Sequence, residues 1–342
     1  MTATSSPIVS VRDLQVRFRT EDADVHAVSG VSFDLAAGEV LGILGESGSG
    51  KSVTLRALIG MLPRNRTRIG GEIRVVGHDL ASMDEGVLRK VRGTEAAMIF
   101  QDPMTALDPV FTIGEQIAET IVRHEGISFK AANARALQLL EMVQIPSAAR
   151  RLRQYPHEMS GGMRQRAMIA LALSCRPKLL LADEPTTALD VTVQIQIILL
   201  LRELQQEMGM AVIFVTHDVG AAVEISNRIA VMYAGRFVEL GSTEAAIGTP
   251  AHPYTAGLLG STVLGSSRGE RLEAIAGMPP DLRRLPQGCS FAPRCRFAID
   301  ACREVVPEFV ERDSGHFTRC LRIARGEDLG LKGVRDDIFA VA

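Results

Sequence analysis

Gly45-Glu46-Ser47-Gly48-Ser49-Gly50-Lys51-Ser52 constrains what this chain can fold into more than any other stretch. A glycine, four residues and then Gly-Lys-Ser fits the phosphate-loop pattern, which requires a strand before it and a helix after it. Both are predicted. Val40-Leu41-Gly42-Ile43-Leu44 is a short apolar β-leaning run, and Ser52 to Met61 carries Val53, Leu55, Leu58 and Ile59 at helical spacing before Pro63. Glycines let successive backbone N–H groups turn inward, and the helix N-terminus adds its positive dipole end, which together make a cradle for a triphosphate. In such a cradle Lys51 reaches the β- and γ-phosphates and the Ser52 hydroxyl ligates Mg²⁺. The plainer alternative is a Gly/Ser turn between a strand and a helix, and it leaves the Lys-Ser register unexplained.

A chain of 342 residues suggests one large or two modest domains with ample material for a core. A formal net charge of −2 argues against a broad nucleic-acid-binding surface. No apolar run approaches the ~20 residues a membrane helix needs, and the polar start Met1-Thr2-Ala3-Thr4-Ser5-Ser6 does not read as a secretion signal. The expectation is a cytosolic protein able to dock on a membrane protein. Of five cysteines, Cys175 stands alone and is expected to be a small core residue in a helix. Cys289, Cys295, Cys302 and Cys320 fall within 32 residues, and in a cytosolic chain such a cluster points to metal rather than disulfides.

Strands are expected at Ile8 to Phe18, Val31 to Leu35, Gly71 to Val76 and Ala96 to Phe100, the last leading into Gln101-Asp102-Pro103. Phe18 by itself reads as a core residue. From Thr112 to about Ile145 the period becomes helical (Ile113, Ile117, Ile121, then Ala136, Leu137, Leu140 and Val143), which predicts a helical insertion. Ser160 is a good N-cap, and Gly161-Gly162 leaves backbone N–H groups bare at the start of a helix reaching about Ser174, a second anion-binding terminus. Lys178 to Ala182 reads as a buried strand delivering Asp183 and Glu184 at its carboxyl end, where parallel sheets bind ligands. An aspartate there can hold Mg²⁺, and the adjacent glutamate can orient or deprotonate an attacking water. After a helix from Thr192 to Met208, the strand Met210 to Val215 ends at Thr216-His217-Asp218, which puts His217 on the same edge as a γ-phosphate contact. Ile229 to Tyr233 and Arg236 to Leu240 are expected to finish the sheet as a hairpin through Ala234-Gly235.

With these residues in order, the chain resembles the nucleotide-binding subunits of ABC transporters. The match runs from Walker A (Gly45 to Ser52) through the Q-loop (Gln101), the signature (Ser160-Gly161-Gly162-Met163-Arg164-Gln165) and Walker B with its glutamate (Leu179 to Glu184). The D-loop (Ala188-Leu189-Asp190) and the switch histidine (His217) complete it, six motifs across about half the chain. The resemblance implies an α/β P-loop NTPase fold of the ABC type with a helical subdomain. It implies ATP held by Gly45, Ser47, Gly48, Ser49, Gly50, Lys51, Ser52 and Val53, with Phe18 stacked on adenine. Mg²⁺ would be held by Ser52, Gln101 and Asp183, and Glu184, Gln101 and His217 would be catalytic. Two such domains sandwich two ATP molecules, so Ser160, Gly161 and Gly162 would serve the nucleotide of a second ATPase subunit. Met163 departs from the usual signature glutamine, and is expected to tune ATP binding rather than abolish it.

The C-terminal part narrows the resemblance. His252-Pro253-Tyr254-Thr255-Ala256-Gly257-Leu258-Leu259, Met278-Pro279-Pro280 and Gly288-Cys289-Ser290-Phe291-Ala292-Pro293-Arg294-Cys295 look like the extension of dipeptide and oligopeptide import ATPases. The Pro-, Gly- and Arg-rich stretch from Met278 to Arg296 predicts a small loop-rich knot beside the main fold. Cysteine spacings of five, six and seventeen residues do not choose between Zn²⁺ and an iron–sulfur cluster. The resemblance implies a [4Fe–4S] cluster on Cys289, Cys295, Cys302 and Cys320.

The division expected from this reading is a nucleotide-binding domain at 7–245 with its helical subdomain at about 102–165, the extension at 246–330, and a tail at 331–342. The implied function is an ATP-hydrolysing subunit that energises di- or oligopeptide import from the cytoplasmic face of the membrane. Its implied partners are a homologous second ATPase subunit in a heterodimer, two membrane permease subunits and an extracytoplasmic peptide-binding protein, with no nucleic acid. The alternatives are a soluble ABC ATPase acting on ribosomes or DNA, or an importer ATPase for nickel, sugars or opines. The single module, the lack of heptads and the C-terminal cysteines weigh against the ribosome or DNA alternative.

Overall fold

The computed structural model describes residues 6–334 apart from 22, 81, 188 and 263–273. Its strands are β1 (Val9–Arg19), β2 (Asp24–Leu35), β3 (Val40–Leu44), β4 (Thr67–Val75), β5 (His78–Asp79), β6 (Ala96–Ile99), β7 (Leu179–Asp183), β8 (Ala211–Thr216), β9 (Arg228–Tyr233), β10 (Arg236–Ser242), β11 (Val310–Asp313) and β12 (His316–Thr318). An antiparallel sheet takes the order β2-β1-β4-β5. The main sheet runs β11-β12-β10-β9-β3-β8-β7-β6. It is parallel from β9 to β6 and antiparallel from β9 out to β11.

The central strands read as unbroken apolar runs because both of their faces are covered. In β8 the two-residue period sends Val212 and Phe214 into the core beneath the helical insertion, and Ala211, Ile213 and Val215 into the core against the antiparallel sheet. The helical insertion is built on two helices, Ile113–Glu125 and Phe129–Met142. Gly126 closes the first helix at φ 69°, and Ser128 caps the second. Thr112 and Glu115 form a capping box at the start of the first. Ile113, Ile117 and Ile121 face Ala136, Leu139 and Leu140 in one core, as the spacing requires.

Several bounds differ from the expectations. β2 begins at Asp24 and β4 at Thr67, because pairing with β1 carries polar residues that alternation alone leaves out. The phosphate-loop helix ends at Leu58 rather than Met61, where Gly60 turns the chain at φ 65°. A helix at Glu85–Thr94, capped by Asp84 and kinked at Arg92 and Gly93, was not expected; it buries only Leu88 and Val91. Cys175 lies just past the helix Gly161–Leu173 and is partly exposed, so it is not the core residue expected.

The largest correction concerns the C-terminal part. The hairpin of β9 and β10 does not finish the sheet. β12 pairs with β10 through Glu239–Thr318 and Leu240–Phe317, and β11 follows it. The extension is therefore built onto the main sheet, although the stretch from Met278 to Arg296 is indeed loop with one short 3₁₀ turn, Ala292–Arg294. A buried histidine–carboxyl contact seals the join, with His316 Nε2 2.8 Å from Glu239 Oε1 and Glu239 fully enclosed. Among the described residues no helix is long and apolar enough to cross a membrane.

Candidate active site

The loop after β3 bends through positions that only glycine tolerates. Gly50 lies at φ 107°, and a Cβ there would press on the Ala27 carbonyl oxygen and Met232 Cε. Gly48, at φ 78°, faces open space. The helix Lys51–Leu58 starts from Gly50 with no side-chain cap and no acidic residue in its first turn. The helices Ile113–Glu125, Phe129–Met142, Gly161–Leu173 and Val191–Met208 are all capped by Thr, Ser or Asp. The bare N–H groups and the dipole at Lys51 suit an anion.

Lys51 is buried, 5% exposed, and donates from Nζ to the carbonyls of Gly45 at 2.7 Å and Glu46 at 3.0 Å. Burial lowers its pKa, and the carboxylates of Glu184 and Asp183 oppose that shift. The Ser52 hydroxyl donates to Asp183 Oδ1 at 2.7 Å. Burial raises the pKa of Asp183, against the hydrogen bond from Ser52. The Ser49 hydroxyl is buried without a hydrogen-bond partner.

Glu184 collects the remaining polar side chains. Its Oε2 accepts from Gln101 Nε2 at 3.2 Å and Thr187 Oγ1 at 3.0 Å, and lies 3.2 Å from His217 Nδ1. Its Oε1 is 3.7 Å from Lys51 Nζ. Glu184 takes φ 45°, a left-handed backbone unusual for a glutamate, while its own N–H donates to Val215 O at 3.0 Å. Gln101 follows β6, Glu184 follows β7 and His217 follows β8, so the carboxyl ends of three adjacent strands deliver them to the edge where β3 delivers the phosphate loop. Of the residues expected at one site, Lys51, Ser52, Gln101, Asp183, Glu184 and His217 are thus brought together. Thr187 was not expected, and its only sequence signal is its place three residues past Glu184.

Ser160 caps the helix Gly161–Leu173 as expected, accepting from Met163 N at 3.4 Å. Gly161 faces Leu189 and Gly162 faces Val193, and no hydrogen bond joins these residues to the phosphate loop among the described residues. Within one chain the signature and the loop remain separate. Phe18 is partly buried against the core between the two sheets. Leu189 and Asp190 of the turn after Glu184 are described, whereas Ala188 lies outside the described residues.

Cys289, Cys295, Cys302 and Cys320 line one pocket with Phe291 and Phe297. Burial raises the thiol pKa of Cys289 and Cys320, and pushes that of Cys295 up to about 11. Cys302 and Cys320 raise Cys289 further, Cys302 raises Cys320, and all three partners raise Cys295. Backbone N–H groups of Phe291 and Ala292 point at Cys289, that of Phe297 at Cys295, and those of Ile323 and Arg322 at Cys320. Among the described residues no group of three or more His, Cys, Asp or Glu is drawn together tightly enough to hold a single metal ion.

Residues 28–187 match the family model described as ABC transporter, and residues 238–302 match that of the oligopeptide/dipeptide transporter C-terminal region. A putative peptide import ATP-binding protein of Brucella melitensis is 49% identical over 92% of this chain and 97% of its own. The oligopeptide transport ATP-binding protein of Salmonella typhimurium is 49% identical over 90% and 92%, and the dipeptide transport ATP-binding protein of Bacillus subtilis 46% over 96% and 99%. Among solved structures, a dimeric ATP-binding cassette in a post-hydrolysis state with ADP and Pi aligns at a TM-score of 0.62 and 28% identity. It covers 69% of this chain and 98% of that one.

Proposed function

Because the chain belongs to the ATP-binding subunits of ABC transporters of the oligopeptide and dipeptide family, we propose that it hydrolyses ATP to energise peptide import. The observation that carries this reading is the convergence of Gln101, Thr187 and His217 on Glu184, beside the Ser52–Asp183 pair and Lys51.

Each residue then has a chemical part. Lys51 exchanges the loop carbonyls for the β- and γ-phosphate oxygens, and Gly45, Ser47, Gly48, Ser49, Gly50, Ser52 and Val53 wrap the rest of the triphosphate. Ser52 and Asp183 offer a hydroxyl and a carboxylate, hard oxygens suited to Mg²⁺, with Gln101 as a further ligand. Bound there, Mg²⁺ offsets phosphate charge. Glu184 orients the attacking water and takes its proton, while Gln101, Thr187 and His217 hold its carboxylate in place. His217 also contacts the γ-phosphate, and Phe18 stacks on adenine. The Ser160–Gly162 helix start is separate from its own loop, so it serves the nucleotide of a second ATPase subunit.

The partners in this reading are a homologous ATPase subunit in a heterodimer, two permease subunits and an extracytoplasmic peptide-binding protein, with the chain at the cytoplasmic face of the membrane. The division is 7–245 for the nucleotide-binding domain, with the helical subdomain at about 102–165, and 246–330 for the extension. We assign a [4Fe–4S] cluster to Cys289, Cys295, Cys302 and Cys320. Support comes from their shared pocket and from the backbone N–H groups aimed at three of the sulfurs, which is how protein-bound clusters are tuned. Anaerobically purified protein that lacks iron and acid-labile sulfide would overturn the cluster.

The test of function is reconstitution in proteoliposomes with permeases and a peptide-binding protein. ATP-dependent uptake of di- or oligopeptide is expected. ATP hydrolysis that peptide-loaded binding protein leaves unchanged, with no peptide uptake, would overturn the reading.

A further inference from the structure

We propose that Arg294 and Tyr254 of the C-terminal extension are positioning residues of the ATP site. Arg294 neutralises Glu46, the second residue of the phosphate loop, and Tyr254 takes up the Glu46 backbone N–H. The inference rests on reading Gly45–Ser52 as the triphosphate cradle. A cradle for so strongly anionic a ligand contains a carboxylate, and it is close to the phosphate-binding lysine: the Glu46 carbonyl accepts from Lys51 Nζ at 3.0 Å. Left unpaired, the Glu46 side chain would repel the incoming phosphates.

Arg294 removes that charge with a two-pronged pair, Nη1 to Oε2 at 2.7 Å and Nη2 to Oε1 at 3.0 Å. The hydrogen bonds to Glu46 raise the pKa of Arg294, so the guanidinium stays charged. Its side chain is 5% exposed and leaves little room to move. Its Nε donates to Ala276 O at 3.1 Å, Nη2 to Ile275 O and Nη1 to Tyr233 Oη at 3.4 Å each, and the guanidinium lies over the Tyr233 ring. From the other side, the fully buried Tyr254 accepts the Glu46 N–H on its hydroxyl at 2.9 Å. Tyr254 is wedged between Tyr233 and Phe291, with ring centroids 4.5 and 5.3 Å away. The helix Pro253–Gly260 and the turn Ala292–Arg294, whose arginine is held by the carbonyls of Ile275 and Ala276, thus converge on one loop residue 248 positions before Arg294. The hydrolytic chemistry uses none of them. Their common effect is to leave the loop open and electrically matched to a triphosphate.

The test measures binding of a fluorescent ATP analogue with Mg²⁺ to four full-length proteins: parent, R294Q, E46Q and E46Q/R294Q. Glutamine at 294 keeps an uncharged hydrogen-bonding amide and removes the positive charge. R294Q is expected to weaken binding about tenfold where Glu46 is present and less than twofold in the E46Q background, and the tenfold loss should shrink as salt is raised. Equal affinity of R294Q and parent would overturn the proposal. So would an equally deep loss in both backgrounds, since Arg294 would then act through the fold and not through the Glu46 charge. A parent that does not bind the analogue would overturn the ATP-site reading itself.

Discussion

The Ser52 hydroxyl donates to Asp183 Oδ1 across 2.7 Å, joining the residue that ends the phosphate loop to the residue that ends β7. β3 and β7 are not neighbours; β8 lies between them. Only the shared carboxyl edge of a parallel sheet lets residues 131 positions apart meet there. The pair places two hard oxygens beside the buried Lys51, and all the chemistry proposed at this site depends on that placement.

Asp183→Asn should leave the fold intact and abolish Mg²⁺-dependent hydrolysis, since a neutral amide cannot balance the cation. Because burial raises the pKa of Asp183, protons compete with Mg²⁺ at a higher pH than at an ordinary aspartate. The Mg²⁺ concentration needed for half-maximal ATPase activity should therefore climb on acidification. A flat Mg²⁺ requirement between pH 8 and pH 5.5 would contradict the assignment.

Glu184→Gln should lower kcat by at least ~10²-fold, the ordinary contribution of a general base. Glutamine can still accept from Gln101 and Thr187, so nucleotide binding should persist and the variant should collect as an ATP-bound closed dimer. Size-exclusion chromatography with and without Mg-ATP reads this directly. Parent-rate turnover would remove Glu184 from its role.

The chemistry of this site was legible because it sits in short contiguous motifs at strand ends, where buried apolar runs mark the strand and the next residues must face the ligand edge. Asp183, Glu184 and His217 could be placed that way. The helical insertion was legible from its period, but its break at Gly126 needed the backbone. Arg294 and Glu46 were not legible, because nothing local links residues 248 positions apart and each reads as a solvated charge. β11 and β12 were hidden for a related reason: a short edge strand such as Val310-Glu311-Arg312-Asp313 is largely polar and has no alternation to reveal it.

Thr187→Val should reduce kcat several-fold and leave KM for ATP unchanged. The hydroxyl holds Glu184 Oε2 at 3.0 Å and, among the described residues, makes no hydrogen bond to the phosphate loop. A rise in KM with constant kcat would instead assign Thr187 to nucleotide binding.

His252 makes stability depend on pH. Its ring is buried, with Nδ1 accepting the Tyr254 N–H at 3.0 Å to cap the helix Pro253–Gly260, and burial, reinforced by Arg319, lowers its pKa to about 3. The unfolded chain takes up a proton near the ordinary value of about 6.5, and the folded one does not. Its contribution is thus fully present above that value and is lost as pH falls toward the folded pKa. Between pH 6 and pH 4 the expected loss from this group is roughly 2–3 kcal/mol. Asparagine can cap the same helix through its side-chain oxygen without titrating, so His252→Asn should flatten this part of the pH profile. Thermal midpoints followed by calorimetry for parent and variant give the contribution as their difference, which also cancels the opposing titration of buried Glu239, whose pKa burial raises. Parallel profiles for the two proteins would mean that His252 is protonated inside the fold. That state would break its cap on Tyr254 and, through Tyr254, its hold on the phosphate loop.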